Sequence, residues 1–88
     1  MGLHLTASPG IGDVFGERLR ELRQKRGLTQ VQLSERSGFP QSHISELENG
    51  SRMPTLLSLV RLAVALDCKV TDLISPFNKA DLPALLRK

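Results

Sequence analysis

Two short amphipathic segments on either side of Gly38 constrain this chain more than any other feature of its sequence. The segment from Leu28 to Gly38 reads LTQVQLSERSG, and the segment from Phe39 to Gly50 reads FPQSHISELENG. Each places apolar residues at the three- and four-residue spacing of one helix face. Glycine tolerates the left-handed backbone that ends a helix and turns the chain sharply. The pattern therefore predicts two short helices packed together across a tight turn.

The length of the chain favours a small core built from locally packed helices. Its 88 residues are near the lower end of what one core stabilises, so a single domain is expected. Leu, Val, Ala and Ile supply nearly all of the apolar surface, since Trp and Tyr are absent and Phe occurs 3 times. Proteins that grip single-stranded nucleic acid stack its bases on aromatic platforms, which three scattered Phe residues do not build. Single-strand binding is therefore disfavoured.

Charge and cysteine content exclude further classes of protein. The formal net charge of +3 suits an anionic partner, although such a charge is also common among ordinary proteins. Cys68 is alone, which excludes an internal disulfide and a cysteine-based metal site, and a reducing cytoplasm is expected. The longest apolar stretch, Leu56 to Leu66, contains Arg61 and is too short to span a bilayer. No membrane partner is therefore expected.

Capping signals divide the chain into five predicted helices and no strand. Residues 1–12 show no sustained period and are expected to form a flexible arm. Thr29 and Gln32 form a capping box, in which each side chain bonds the backbone of the other residue. The residues expected to cap or start the five helices are Asp13, Thr29, Pro40, Thr55 and Thr71.

The predicted helices form one domain from residue 13 to 75, followed by a tail from 76 to 88. The fourth helix carries the longest apolar stripe and is expected to lie at the centre of the core. The tail combines charged residues with Phe77, Leu82, Leu85 and Leu86, which makes it more apolar than a freely solvated tail. We expect it to dock, and the sequence leaves open whether it packs on its own domain or on a second copy.

The turn at Gly38 would hold the two short helices at a fixed angle, as a helix that enters the major groove of DNA requires. Small Ser34 permits their close approach. The apolar seam between the two helices is expected to contain Leu33, Phe39, Ile44 and Leu47. Every chemical type that a helix-turn-helix needs is therefore present in order.

The chain resembles the phage-repressor and Cro-like helix-turn-helix family, often called XRE, from about Phe15 to Ile74. The resemblance rests on LTQ, the Gly38 turn, ISELENG, Pro54-Thr55 and LAVAL. It implies an all-α fold, a five-helix lambda-repressor-like DNA-binding domain with a flexible N-terminal arm and an apolar C-terminal tail. It also implies a regulator of transcription that binds double-stranded DNA, and no cofactor is expected.

Helical geometry and the resemblance together select the residues expected to read bases. With Ile44 and Leu47 facing inward, a rotation of about 100° per residue turns the polar residues of this helix outward. By resemblance, Gln41, Ser42 and Glu46 occupy base-reading positions. An amide such as that of Gln41 matches adenine, and a carboxylate such as that of Glu46 accepts from cytosine. Glu46 is equally interpretable as a solvated surface carboxylate.

Neighbouring residues are expected to touch the DNA backbone or to hold the reading helix. By resemblance, Gln30 contacts phosphate and braces Gln41, and Arg23 and Glu48 form a structural ion pair that orients the helix. Glu46 stands where the family often has a basic or aromatic residue, so the target sequences of relatives do not carry over. The residues expected at the backbone or beside the groove are Gln30, Thr29, His43, Ser45, Asn49 and Arg52.

The function predicted from these features is a sequence-specific regulator, a repressor or autoregulator, that acts as a homodimer on a roughly palindromic operator. A single short reading helix covers few base pairs, and two copies double the contacts. The expected dimer surface comprises Leu73, Ile74, Phe77, Leu82 and Leu85. The alternative is an antitoxin or adaptor whose tail binds another protein, while its DNA binding serves autoregulation.

An enzyme is not expected from this sequence. His4 lies in the arm and His43 on the predicted DNA face, and no nucleophile, base and orienting group are brought together. Two isolated histidines do not supply the ligand set of a metal site, so none is expected.

Overall fold

The computed structural model describes residues 10–86, and the predicted arm residues 1–9 lie outside it. Within residues 10–86 the chain forms α-helices, one 3-10 helix and no strand, which confirms the all-α prediction. The helices are α1 (Ile11–Lys25), α2 (Gln30–Ser37), α3 (Gln41–Asn49), α4 (Leu56–Leu66), α5 (Val70–Ile74) and α6 (Leu82–Leu85), with the 3-10 helix Ser75–Asn78 between α5 and α6. None of these helices is long and apolar enough to cross a membrane.

The starts of α2 and α4 are those that the sequence predicted. The Thr29 hydroxyl accepts from the Gln32 backbone N–H at 3.0 Å, and the Gln32 amide oxygen accepts from the Thr29 N–H at 2.9 Å. Thr55 accepts from the Ser58 N–H at 3.1 Å in the same way. Gly38 follows α2 with φ of 82°, in the left-handed region that favours glycine. Local chemistry therefore sets both ends of α2.

The predicted caps of α1 and α5 were wrong. The α1 helix begins at Ile11 with Gly10 as its N-cap, and the Asp13 carboxylate accepts from the Gly10 N–H at 2.9 Å. The α5 helix begins at Val70, and the Asp72 carboxylate accepts from the Lys69 N–H at 2.8 Å. An acidic side chain in the first turn satisfies the free N–H of the cap residue, so each helix begins earlier than the sequence signals suggested.

The tail contains a helix that the five-helix prediction missed. At the start of α6 the Asp81 carboxylate accepts from the Ala84 N–H at 3.3 Å, and Pro83 lies in the first turn, where a proline is tolerated. Phe77, in the 3-10 helix, packs against the core of its own chain. This first part of the tail therefore docks on its own domain.

The core brings α1, α2, α3, α4 and α5 together around fully buried side chains. These are Phe15, Leu19, Leu33, Ile44, Leu47, Leu62, Leu66 and Leu73. At the contact between α1 and α3, Gly16 lies directly against the α3 backbone, and a Cβ atom there would be 2.5 Å from the Leu47 carbonyl oxygen. Since that oxygen is part of the helix backbone, α1 fixes where α3 lies.

Candidate nucleic-acid interface

The α3 helix presents its polar face to solvent and its apolar face to the core. Ile44 and Leu47 are fully buried, whereas Gln41, Ser42 and Asn49 are exposed. His43, Ser45 and Glu46 are half-buried. The helix starts directly after Pro40 and ends at Gly50, whose φ of 85° turns the chain away. The residues predicted to read bases are thus accessible from one side.

Glu48 anchors the inner side of α3 in a buried cluster of hydrogen-bond donors. Its carboxylate accepts from Arg23 Nε at 2.5 Å and from Arg23 Nη2 at 3.0 Å. The carboxylate also accepts from Arg20 Nε at 3.5 Å and from Gln30 Nε2 at 3.1 Å. The structure therefore brings the predicted pair of Arg23 and Glu48 together, and adds two partners that sequence reasoning missed.

The Glu48 carboxylate also determines how the amide of Gln41 is oriented. Because an ionised carboxylate only accepts, Gln30 must turn its NH₂ group toward Glu48. The Gln30 oxygen then accepts from Gln41 Nε2 at 3.3 Å. This chain leaves the Gln41 oxygen and its second amide hydrogen directed away from Gln30. The buried Glu48 carboxylate thus determines which end of the exposed Gln41 amide faces Gln30.

Burial and hydrogen bonding act in opposite directions on the pKa of Glu48. Burial alone would raise the pKa, but hydrogen bonds from Arg23, Gln30 and Arg20, together with the charge of Arg23, hold it below its ordinary value of 4.5. The carboxylate is therefore ionised at neutral pH. Its lowered pKa links protonation of the cluster to unfolding.

We expect acid to weaken the fold through Glu48. Since its folded-state pKa is lowered, the stability that Glu48 contributes is present above its unfolded-state pKa, near 4.5, and is lost as the pH falls through the folded-state value. Urea unfolding between pH 7 and pH 3 should show this loss. The Glu48→Gln variant, which lacks the titrating group, should lose less stability over that range. Identical pH profiles for the two proteins would contradict the assignment.

Glu46 and Arg52 form an exposed ion pair at the other end of the polar face. Arg52 Nη2 is 2.7 Å and Arg52 Nε 2.8 Å from Glu46 Oε1, with each side chain nearly half exposed. The left-handed turn at Gly50 folds the chain back, so the Ser51 and Arg52 N–H groups also bond the Glu46 carbonyl oxygen. The sequence signal was the helix-ending Asn49-Gly50, which brings residues six apart together.

His43 lies in a stack at the edge of α3. Its ring centroid is 4.4 Å from that of Phe39, and the Arg61 guanidinium lies 5.2 Å from the Phe39 centroid. Burial and the charge of Arg52 lower the pKa of His43, against the opposing effect of Glu46. The imidazole is therefore neutral at pH 7 and contributes a polar edge rather than a charge.

The other predicted backbone contacts are partly engaged within the protein. The Thr29 hydroxyl caps α2, and the Asn49 side-chain oxygen accepts from the Ser51 N–H at 2.9 Å. Asn49 thus has the helix-ending arrangement that its neighbour Gly50 favours. Among residues 10–86, no cluster of three or more His, Cys, Asp or Glu residues has the arrangement to hold a metal ion.

The residues predicted for a dimer surface do not lie on one exposed face. Leu73 is wholly buried in the core of its own chain, because α5 packs its apolar side on α1 and α4. Its side chain therefore cannot contact a second copy. Phe77 and Leu85 are half-buried, while Ile74 is 37% and Leu82 48% exposed.

Two short helices, α2 and α3, packed together across the glycine turn at Gly38, with the polar face of α3 open to solvent, define a helix-turn-helix protein. The chain belongs to the HTH_3 helix-turn-helix family, whose model matches residues 19–73. It is 43% identical over 66 residues to an HTH-type transcriptional regulator of Sinorhizobium fredii, covering 75% of this chain and 86% of that protein. It is 34% identical to the immunity repressor protein of Bacillus phage phi105, covering 67% of this chain and 41% of the repressor.

Solved structures agree with this assignment. The restriction-modification controller protein C.AhdI from Aeromonas hydrophila has a TM-score of 0.69 at 40% identity, over 70% of this chain and 94% of that one. The clp gene regulator ClgR from C. glutamicum has a TM-score of 0.75 at 28% identity, over 84% of this chain and 99% of that one. The protein is thus a helix-turn-helix transcriptional regulator.

Proposed function

We propose that this cytoplasmic protein represses transcription, including that of its own gene, by binding a roughly palindromic double-stranded operator as a homodimer. The observation that carries the proposal is the exposed polar face of α3, whose first side chain, Gln41, is braced through Gln30 to buried Glu48. The names of the phage immunity repressor and the restriction-modification controller support a regulatory role.

The proposed reading step uses the two groups of Gln41 that the brace leaves available. One amide hydrogen bonds Gln30, so the second can donate to adenine N7 while the oxygen accepts from adenine N6. Ser42 follows it on the same exposed turn and serves as the second base contact. A braced amide loses less side-chain entropy on binding than a free one, which favours a specific contact.

Glu46 takes part through an exchange of partners. In the free protein its carboxylate holds Arg52. When α3 enters the groove, a DNA phosphate replaces the carboxylate on the guanidinium, since both offer two oxygens that accept from the paired N–H groups of arginine. The released carboxylate then accepts from cytosine N4. Without that release, Glu46 would repel the backbone.

Selection of bound fragments from a random pool of duplex DNA tests this function. We expect an enriched motif with two-fold symmetry, whose half-sites are about 34 Å apart, one turn of B-form DNA. Binding that is indifferent to sequence at every salt concentration would overturn the proposal. Enrichment of one unsymmetrical half-site would support DNA reading and reject the homodimer.

Gln41→Ala and Arg52→Ala should weaken binding in different ways. Loss of the Gln41 amide should cost about 1 to 3 kcal/mol on the selected site and relax the preference at one base position. Loss of Arg52 should weaken all sequences similarly and reduce the salt slope by about one. Salt titrations of the wild type and both variants on the operator and on scrambled DNA measure the two effects. Equal effects on both DNAs for Gln41→Ala would contradict its base-reading role.

Exposed leucines in α6 and directly after it favour a second function, that of an antitoxin or adaptor. Leu82 is 48% and Leu86 71% exposed. Because Phe77 packs on the core, the matching test removes residues 81–88 and leaves the 3-10 helix intact. Loss of a co-purifying, separately encoded protein on this truncation, with DNA binding retained, would favour the adaptor. A solitary protein in both preparations would count against it.

A further inference from the structure

The α4 helix is apolar on the side that faces the core and on the side that faces solvent. Its inner residues Leu62, Ala63 and Leu66 are buried. Outward, and just before the helix, lies a set that we call the α4 ridge: Met53, Leu56, Leu57, Val60 and Val64, which are 56%, 74%, 61%, 46% and 77% exposed. A helix that is apolar all round is found covered on all sides. Within residues 10–86, nothing covers the ridge.

The spacing of the ridge fits contact with another helix. Leu56, Val60 and Val64 recur every four residues and form one row, which spans about 12 Å along the helix axis. Rows of this kind interlock when two helices cross at about −50°. The one charged residue of α4, Arg61, lies beside the row with its guanidinium near the Phe39 ring. The row itself is therefore free of charge.

We propose that a second copy of this chain covers the α4 ridge in a two-fold symmetric contact. This inference rests on the homodimer of the proposed function and names its surface. In such a contact the α4 helices cross near Val60, and Leu56 of one copy lies toward Val64 of the other. One uncharged row serves as both ridge and groove, as the self-complementary surface of a two-fold dimer requires.

The apolar area of the α4 ridge is consistent with the contact area that a second copy of the chain would need. Five such side chains, each more than two-fifths exposed, present on the order of 400 Å² of apolar surface, among the largest patches that monomers leave exposed. A stable interface buries about 800 Å² per partner, with an apolar centre and a polar rim. The ridge therefore supplies the centre of an interface of ordinary size. By contrast, the predicted α5 and tail surface has Leu73 turned into the core.

A matched pair of variants tests the proposal on the full chain. Val60→Glu places two like charges at the crossing point and should raise the dimer dissociation constant at least 100-fold in sedimentation equilibrium. Val31→Glu, on α2, changes a valine of similar exposure, 49% against 46%, and should leave the constant unchanged. Circular dichroism establishes that both variants are folded. A monomeric wild type, or equal effects of the two variants, would overturn the proposal.

Disulfide cross-linking tests independently whether the two α4 helices cross at Val60. In a Cys68→Ser background, Val60→Cys should oxidise to a covalent dimer, because a disulfide needs Cα atoms about 4.4 to 6.8 Å apart. Val31→Cys should remain monomeric under the same conditions. No covalent Val60→Cys dimer would reject the crossing point. A dimer lost on removal of residues 81–88 would instead assign the interface to the tail.

Binding to half-site and full-site DNA separates this inference from the proposed function. If both hold, Val60→Glu binds a half-site like the wild type and loses the additional affinity for the full site. If only the α4 contact is wrong, Val60→Glu binds the full site as the wild type does. A folded wild type that binds neither DNA would reject the proposed function itself, whatever its oligomeric state.

Discussion

Glu48→Ala is expected to lower the free energy of unfolding by about 3 to 5 kcal/mol, the usual cost of breaking a buried ion pair by removing one partner. The Glu48 side chain is wholly buried, and Arg23 beside it is 11% exposed. Without the carboxylate, the Arg23 guanidinium and the Gln30 amide lose their shared acceptor while they remain largely out of water. Urea unfolding followed by circular dichroism measures the loss.

Two further variants test whether the loss of stability in Glu48→Ala comes from the buried ion pair. Glu35→Ala removes an exposed carboxylate from α2 and should change stability by no more than about 0.5 kcal/mol. The double variant Arg23→Met/Glu48→Met replaces the pair by apolar groups and should recover much of the stability, since no buried charge is left unpaired. A Glu48→Ala loss below about 1 kcal/mol would show that the cluster contributes little.

Glu48→Gln separates the stability of the cluster from its effect on reading. An amide at this position can present either its oxygen or its NH₂ group to Gln30, so the orientation of Gln30, and with it that of Gln41, is no longer fixed. We expect a relaxed preference at the base that Gln41 reads, in a protein that is still folded. Unchanged preference would confine Glu48 to a structural role.

Short-range chemistry explains what could be predicted from the sequence. Thr29, Gly38 and Gly50 act on residues within one turn, and their roles follow from backbone geometry alone. The exposure of the outer apolar side of α4 did not follow in this way. Its run of apolar residues predicts a buried helix but does not say on which side the neighbours lie, because both sides satisfy the pattern.

The parts of the site that sequence reasoning missed depend on tertiary contacts. Arg20 and Gln30 reach Glu48 from 28 and 18 residues away, and no local spacing links them. The predicted role of Asp13 as a cap failed for a local reason: Gly10 takes the cap position, and its N–H donates to the Asp13 carboxylate three residues later. The pattern of α5 is too short to show which side faces the core, so the sequence predicts Leu73 at the surface, whereas the structure buries it.

Gly16→Ala is expected to disturb the reading helix and to lower the free energy of unfolding by about 2 to 3 kcal/mol. Alanine favours a helix over glycine by about 1 kcal/mol, which alone would stabilise α1. The added Cβ, however, would lie 2.5 Å from the Leu47 carbonyl oxygen and closer still to that of Glu48. These atoms belong to the α3 backbone and cannot rotate away, so α1 and α3 must separate, at the upper end of the cost of overpacking.

The separation of α1 and α3 should reduce specific DNA binding by more than the loss of folded protein alone would explain. Moving α3 shifts Glu48 away from Arg23 and Gln30, and so releases the brace on Gln41. Gly27→Ala is the control, because Gly27 has φ of 71° and open space around its Cβ position. It carries only backbone strain, of order 1 kcal/mol, because no atom lies within 4 Å of the added Cβ. At a temperature below the unfolding transition of both variants, the affinity for the operator should fall at least 10-fold for Gly16→Ala and stay unchanged for Gly27→Ala. Equal operator affinities for the two variants would show that the contact between Gly16 and α3 does not position the reading helix.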